Sequence, residues 1–112
     1  MSIRVQRVEE LLRKQLSELI SEKIGGEYGL VTITSIIATA DFKLADVYFS
    51  IIPEEQAEIF MKILEKERSG FQHILGKRLK MKFTPKLIFH LDQSKDKIDQ
   101  VDELLKEIQD ES

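Results

Sequence analysis

The chain contains no cysteine and no tryptophan. Without cysteine there are no disulfides, no thiolate metal sites and no cysteine nucleophile. Aromatic residues make up only 7% of the sequence, which gives little support to an aromatic platform for stacking single-stranded bases. No apolar run approaches the roughly 20 residues that a membrane span requires. The opening Met1-Ser2-Ile3-Arg4 leads straight into amphipathic sequence without a signal-peptide core, so cytoplasmic residence is expected. There is no internal repeat, low-complexity tract or interdomain linker. A last absence is local: between Glu67 and Asp92 there is no carboxylate at all.

That window holds Arg68, Lys77, Arg78, Lys80, Lys82 and Lys86, with His73 beside them. The whole chain is nonetheless acidic, with 17 Lys and Arg against 20 Asp and Glu. The acidity belongs to the end of the chain, where residues 92–112 carry eight acids and three bases. Screening limits each charge to about 10 Å, so a local positive field attracts a polyanion whatever the net charge. Two readings stay open on the window alone: a nucleic-acid contact surface, or a solvated helix face followed by edge-strand lysines.

At 112 residues, with 42% hydrophobic and 33% charged content, the chain fits one soluble folded unit. Residues 3–24 read as a helix, because Val5, Val8, Leu12, Leu16 and Leu19 recur at helical spacing. Arg4, Arg7 and Lys14 share another face of it, within about 80° at 100° per residue. Residues 30–38 read as a strand rich in Val, Ile and Thr, and residues 44–52 as a second, with Ala45, Val47, Phe49 and Ile51 on one side. The short turn between them makes an antiparallel pair. A helix opens at Pro53-Glu54-Glu55 and meets Ser69-Gly70, where glycine predicts a break or kink. A second helical piece runs to about Leu79, with His73, Lys77 and Lys80 opposite its apolar side. Arg78 falls on that apolar side and must snorkel or lie past the helix end. Pro85 ends this stretch, and residues 86–91 read as a third strand, parallel to its predecessor across the helical crossover. Ile98, Val101, Leu104, Leu105 and Ile108 define a terminal amphipathic helix.

The order predicts an α+β domain: a three-stranded mixed sheet covered on one face by helices. Residues 1–92 form the domain, and residues 93–112 an acidic C-terminal loop and helix.

This order, helix, strand, strand, helix, kink, helix, strand, is similar to the type II KH fold. Its details resemble the ribosome-binding factor A family. They are Val31-Thr32-Ile33-Thr34, then Asp41, then Ala45-Asp46-Val47-Tyr48-Phe49-Ser50, then Ser69-Gly70-Phe71, then Pro85-Lys86-Leu87-Ile88-Phe89 and Asp92. The opening helix, with Arg4, Arg7 and Val8, is also similar. The resemblance implies a non-enzymatic assembly factor, and nothing in the sequence demands more than a monomer. Such a factor binds the immature small ribosomal subunit and its rRNA, assists maturation of the 5′ region and neck, and matters most in the cold. That family carries an Ala-x-Gly kink between its helices; here Arg68-Ser69-Gly70 puts arginine at the alanine position, and His73 occupies an arginine position. Arg68 then supplies charge that a histidine provides only in part near neutral pH.

The candidate RNA-binding residues are therefore Arg4, Arg7, Lys14, Arg68, Ser69, Gly70, His73, Lys77, Arg78, Lys80, Lys82 and Lys86. Lysine and arginine on a helix and its exit suit phosphate backbone contacts, which carry no base information, and Gly70 lets the main chain come close. Only one glycine of a Gly-x-x-Gly loop is present, so sequence-specific capture of free single strands is not expected.

No nucleophile elbow, P-loop or dinucleotide glycine pattern occurs, and His73 and His90 are the only histidines. No catalytic residue, cofactor or metal is expected. Asp92, Ser94, Asp96 and Glu103 sit at ligand positions of a calcium-loop frame, but Lys97 stands where that loop needs glycine. Asp96 reads better as the cap of the last helix. Two other classes of function remain: a protein–protein adaptor using the Leu104/Leu105 stripe, and a small-molecule sensor.

Overall fold

A computed structural model describes residues 3–81 and 83–92. Helix α1 (Ile3–Lys23) is followed by strands β1 (Leu30–Ala38) and β2 (Leu44–Ile52). A single 3-10 turn (Glu54–Gln56) then leads into helix α2 (Ala57–Leu79), and strand β3 (Lys86–Leu91) closes the sheet. The strands lie in the order β1-β2-β3, with β1 antiparallel and β3 parallel to β2. This is the expected α+β layout with a three-stranded mixed sheet. The expected terminal helix and all of the calcium-loop frame but Asp92 lie outside the described residues.

The alternation read from the sequence sorts the two sheet faces. Ala45, Val47, Phe49 and Ile51 of β2 and Leu87 and Phe89 of β3 are buried under the helices. From α1 they receive Leu12, Leu16 and Leu19; from α2 they receive Phe60, Leu64, Phe71 and Leu75. Phe49 meets Phe60 edge-on, centroids 5.6 Å apart at 86°, a favoured aromatic geometry. Among the described residues the core contains no polar or charged side chain. The other sheet face carries Asp46, Tyr48, Ser50 and His90, with Ile37 (53% exposed) and Ile52 (65% exposed) left open.

One expectation is corrected. Ser69-Gly70 does not split the second helical segment: α2 runs unbroken for 23 residues. The reason lies in its apolar stripe. Phe60, Leu64, Phe71 and Leu75 stay within about 60° of one another at 100° per residue, so one buried face continues in phase through the glycine and the helical hydrogen bonding is not interrupted there. A helical glycine costs only about 1 kcal/mol relative to alanine, less than that shared core contributes. Gly29 is the glycine the fold does require. Its φ is 127°, and an added Cβ would collide with the Ile52 carbonyl.

Helix side chains also close the rims of the sheet. Arg13 donates to the Ile33 carbonyl at 2.9 Å and to the Thr34 carbonyl at 3.3 Å, where the β1 register slips between Ile33 and Ser35. Glu9 accepts the Ala38 N–H at 2.8 Å. On the far rim, Gln72 accepts the Leu87 N–H at 3.0 Å and donates to the Pro85 carbonyl.

Candidate nucleic-acid interface

The helical period places Lys62, Lys66, His73 and Lys77 within about 60° of each other on α2, opposite its buried stripe. All four are exposed, as are Ser69 and Gly70 between them. Glu65 and Glu67 fall outside this stripe on the same wheel, so a run of cations follows the outer side of the helix from Lys62 to Lys77, and Glu58, one turn before Lys62, closes its N-terminal end. Gly70 has open space where a Cβ would stand, with nothing within 4 Å. The backbone is therefore bare at the middle of the stripe, where another polymer can approach it closely. Gly76 differs: a Cβ there would sit 3.2 Å from the Thr84 hydroxyl, so it is a packing position.

Lys62 and Lys66 were not among the residues anticipated. The carboxylate-free window starts after Glu67 and so cuts through the helix. Counting by i, i+4 and i+7 instead runs 62, 66, 69, 73 and 77 along one face. Lys62 lies 3.8 Å from Glu58, with both side chains more than three-quarters exposed, a pairing of little consequence in water.

The other anticipated residues divide. Arg7 and Lys14 line one shallow groove on α1 with Glu10 and Leu11, and both are exposed. Arg4 instead lies over the Phe42 ring, 5.4 Å from its centroid, where a cation–π contact covers a residue held at φ 59°. Arg68 is matched by Glu65 on its own helix at 3.4 Å. Arg78 turns toward α1, 3.2 Å from Glu22 and 3.9 Å from Glu18. Lys80 is exposed and ends α2 in the left-handed conformation, φ 52°. Lys86 alternates with buried Leu87 on β3, so it belongs to the open sheet face and does not join the helical stripe. Lys82 lies outside the described residues.

Elsewhere the titratable groups have structural partners. His90 Nε2 stands 2.8 Å from Asp46 Oδ1, and its ring stacks on Tyr48 with centroids 4.7 Å apart. These are neighbours across the β2–β3 pairing, a cross-strand cluster that supports the edge strand. In the β1–β2 turn, Asp41 accepts from the Thr39 hydroxyl at 2.7 Å and the Lys43 N–H at 3.0 Å. The Thr39 bond first, and the Lys43 N–H second, hold the Asp41 carboxyl below its usual range. Among the described residues no group of three or more His, Cys, Asp or Glu could hold a metal ion. No described helix is long and apolar enough to cross a membrane.

The molecule is thus a type II KH-like α+β domain whose exposed chemistry is a cationic helix surface around an open glycine. A profile of the ribosome-binding factor A family matches residues 4–105, and the chain belongs to that family. Among solved structures, the crystal structure of ribosome-binding factor A from Thermus thermophilus is similar, with a TM-score of 0.67 and 22% identity, over 78% of this chain and 94% of that one. A homology model of the Thermus thermophilus factor, fitted into a cryo-EM map of its complex with the 30S subunit, gives a TM-score of 0.66 at 22% identity, over 78% and 93% of the two chains. A solution structure from Thermotoga maritima, described as a candidate ribosome-binding factor A, gives 0.56 at 26% identity, over 79% and 82%. These likenesses are of fold.

Proposed function

We propose that this chain is a non-enzymatic assembly factor that binds the immature small ribosomal subunit through its rRNA backbone, in the cytoplasm and as a monomer. The observation that carries the reading is the outer stripe of α2: Lys62, Lys66, His73 and Lys77, with Ser69-Gly70 at its centre. A row of cations at helical spacing tracks phosphates, and a bare backbone in the row allows close approach. Arg7 and Lys14 extend the field along α1. Family membership and the Thermus complex with the 30S subunit support the choice of partner. Assistance to rRNA processing, maturation of the 5′ region and neck, and a greater need in the cold follow from the same reading. Specificity then comes from RNA shape, because backbone contacts read no base.

The test is co-sedimentation with small subunits across a salt series. About five neutralised phosphates predict an affinity loss on the order of a hundredfold between 50 and 200 mM salt. Replacing Lys66 and Lys77 together by Gln is expected to weaken low-salt binding at least tenfold while leaving the melting temperature nearly unchanged. A salt-independent association, or a protein partner that survives nuclease treatment, would point to the adaptor class instead.

A further inference from the structure

Glu18 and Glu22 stand one turn apart near the end of α1. Like charges at that spacing repel, and carboxylates are disfavoured at the negative C-terminal end of a helix. Local preference therefore argues against both. In the fold they converge on one side chain from the last turn of α2. Arg78 Nη2 lies 3.2 Å from Glu22 Oε2, and Nη1 lies 3.9 Å from Glu18 Oε2. The same guanidinium donates to Gln15 Oε1 at 3.4 Å. One arginine thus engages three successive turns of the neighbouring helix with its fork of donors. Its neighbour in sequence, Lys77, points to the outer stripe, and Lys80 ends the helix just beyond.

We infer that Arg78 is not an RNA ligand but the positioning residue of the cationic surface. It latches the final turn of α2 to α1, and so holds Lys77 and Lys80 in line with Lys66 and His73. It also cancels two carboxylates that would otherwise project a negative field beside that stripe. The inference rests on the RNA-contact reading proposed above.

The salt slope of small-subunit binding separates a latch from a ligand, because the slope counts phosphates contacted. Arg78→Gln is expected to weaken low-salt binding about three- to tenfold with the wild-type slope retained, because Lys77 and Lys80 still reach phosphate in the complex and only the cost of ordering the last turn of α2 on binding is added. Lys77→Gln is expected to lower the slope by about one unit. Arg78→Glu alone is expected to lose more than about tenfold, and combining it with Glu22→Arg to recover most of that loss. A slope for Arg78→Gln reduced as much as for Lys77→Gln would overturn the latch, and so would a double variant that recovers nothing. If Arg78→Glu does not fold, the slope of Arg78→Gln decides alone. If wild-type protein shows no salt-dependent binding, the proposed function and the positioning role both fall. Thermal melts then judge the bare clamp: recovery by the exchanged pair supports it, and no recovery overturns it.

Discussion

The inner and outer sides of α2 come from the same 23 residues and answer to different constraints. Phe60, Leu64, Phe71 and Leu75 point into the core, and three of them are 0% exposed. Lys62, Lys66, His73 and Lys77 point to solvent, where shape is free and only charge is selected. Packing accounts for every inner residue. It accounts for none of the outer ones, which the proposed function assigns to RNA contact. Arg78 separates the two cases within one residue type: it sits at the seam, already matched by acids, while Lys77 beside it faces outward.

The comparison breaks first where packing is removed. Phe71→Ala is expected to cost about 3–5 kcal/mol, a large share of a small domain's stability. Chemical denaturation checks this, and a loss under about 1 kcal/mol would mean that the inner side is not the core it looks like. Binding should fall only in proportion to the unfolded fraction.

Gly70→Ala sharpens the contrast, because it should move stability and binding in opposite directions. Alanine fits the open space at Gly70 and should raise stability by about 0.5–1 kcal/mol. The added methyl group stands where the backbone would meet RNA, so low-salt affinity should fall several-fold. A more stable protein that binds as well as wild type would remove close backbone approach from the mechanism.

The smallest effect is expected remote from both sides, at the β1–β2 turn. Asp41 has a lowered pKa in the fold. Its contribution to stability is therefore complete above the ordinary carboxylate range and is lost as pH falls through the depressed value. Asp41→Asn should flatten acid unfolding only there, and leave subunit binding near pH 7 unchanged. Melting curves across pH check the first part; altered binding would extend the interface to the hairpin tip.

What was legible in the sequence follows from how local each signal is. Strand alternation in residues 44–52 placed Val47, Phe49 and Ile51 correctly in the core, because the side-chain period of a strand is strictly two. The parallel return of β3 followed from the length of the crossover. Of the break or kink expected at Gly70, the break is absent, because a glycine is a local hint whereas the phase of Phe60, Leu64, Phe71 and Leu75 is a property of the whole helix. Lys66 was hidden by counting charges along the chain rather than around the axis. The partners of Arg78, up to 63 positions distant, and of His90, 44 positions distant, had no local signature. Arg68 was expected to offer its charge outward, and the pairing with Glu65 at 3.4 Å is one that i, i+3 spacing already allowed.

The side chains at the sheet's rims carry a consequence for this molecule in a crowded cell. A bare outer strand is a template on which a second chain can add, and repeated addition builds fibres. Here Glu9 and Arg13 occupy groups along the β1 rim, and Gln72 occupies the start of the β3 rim. A newcomer strand would have to displace charged or amide side chains before finding a ladder to continue. The helices thereby guard the sheet against templated growth while leaving its broad face in water.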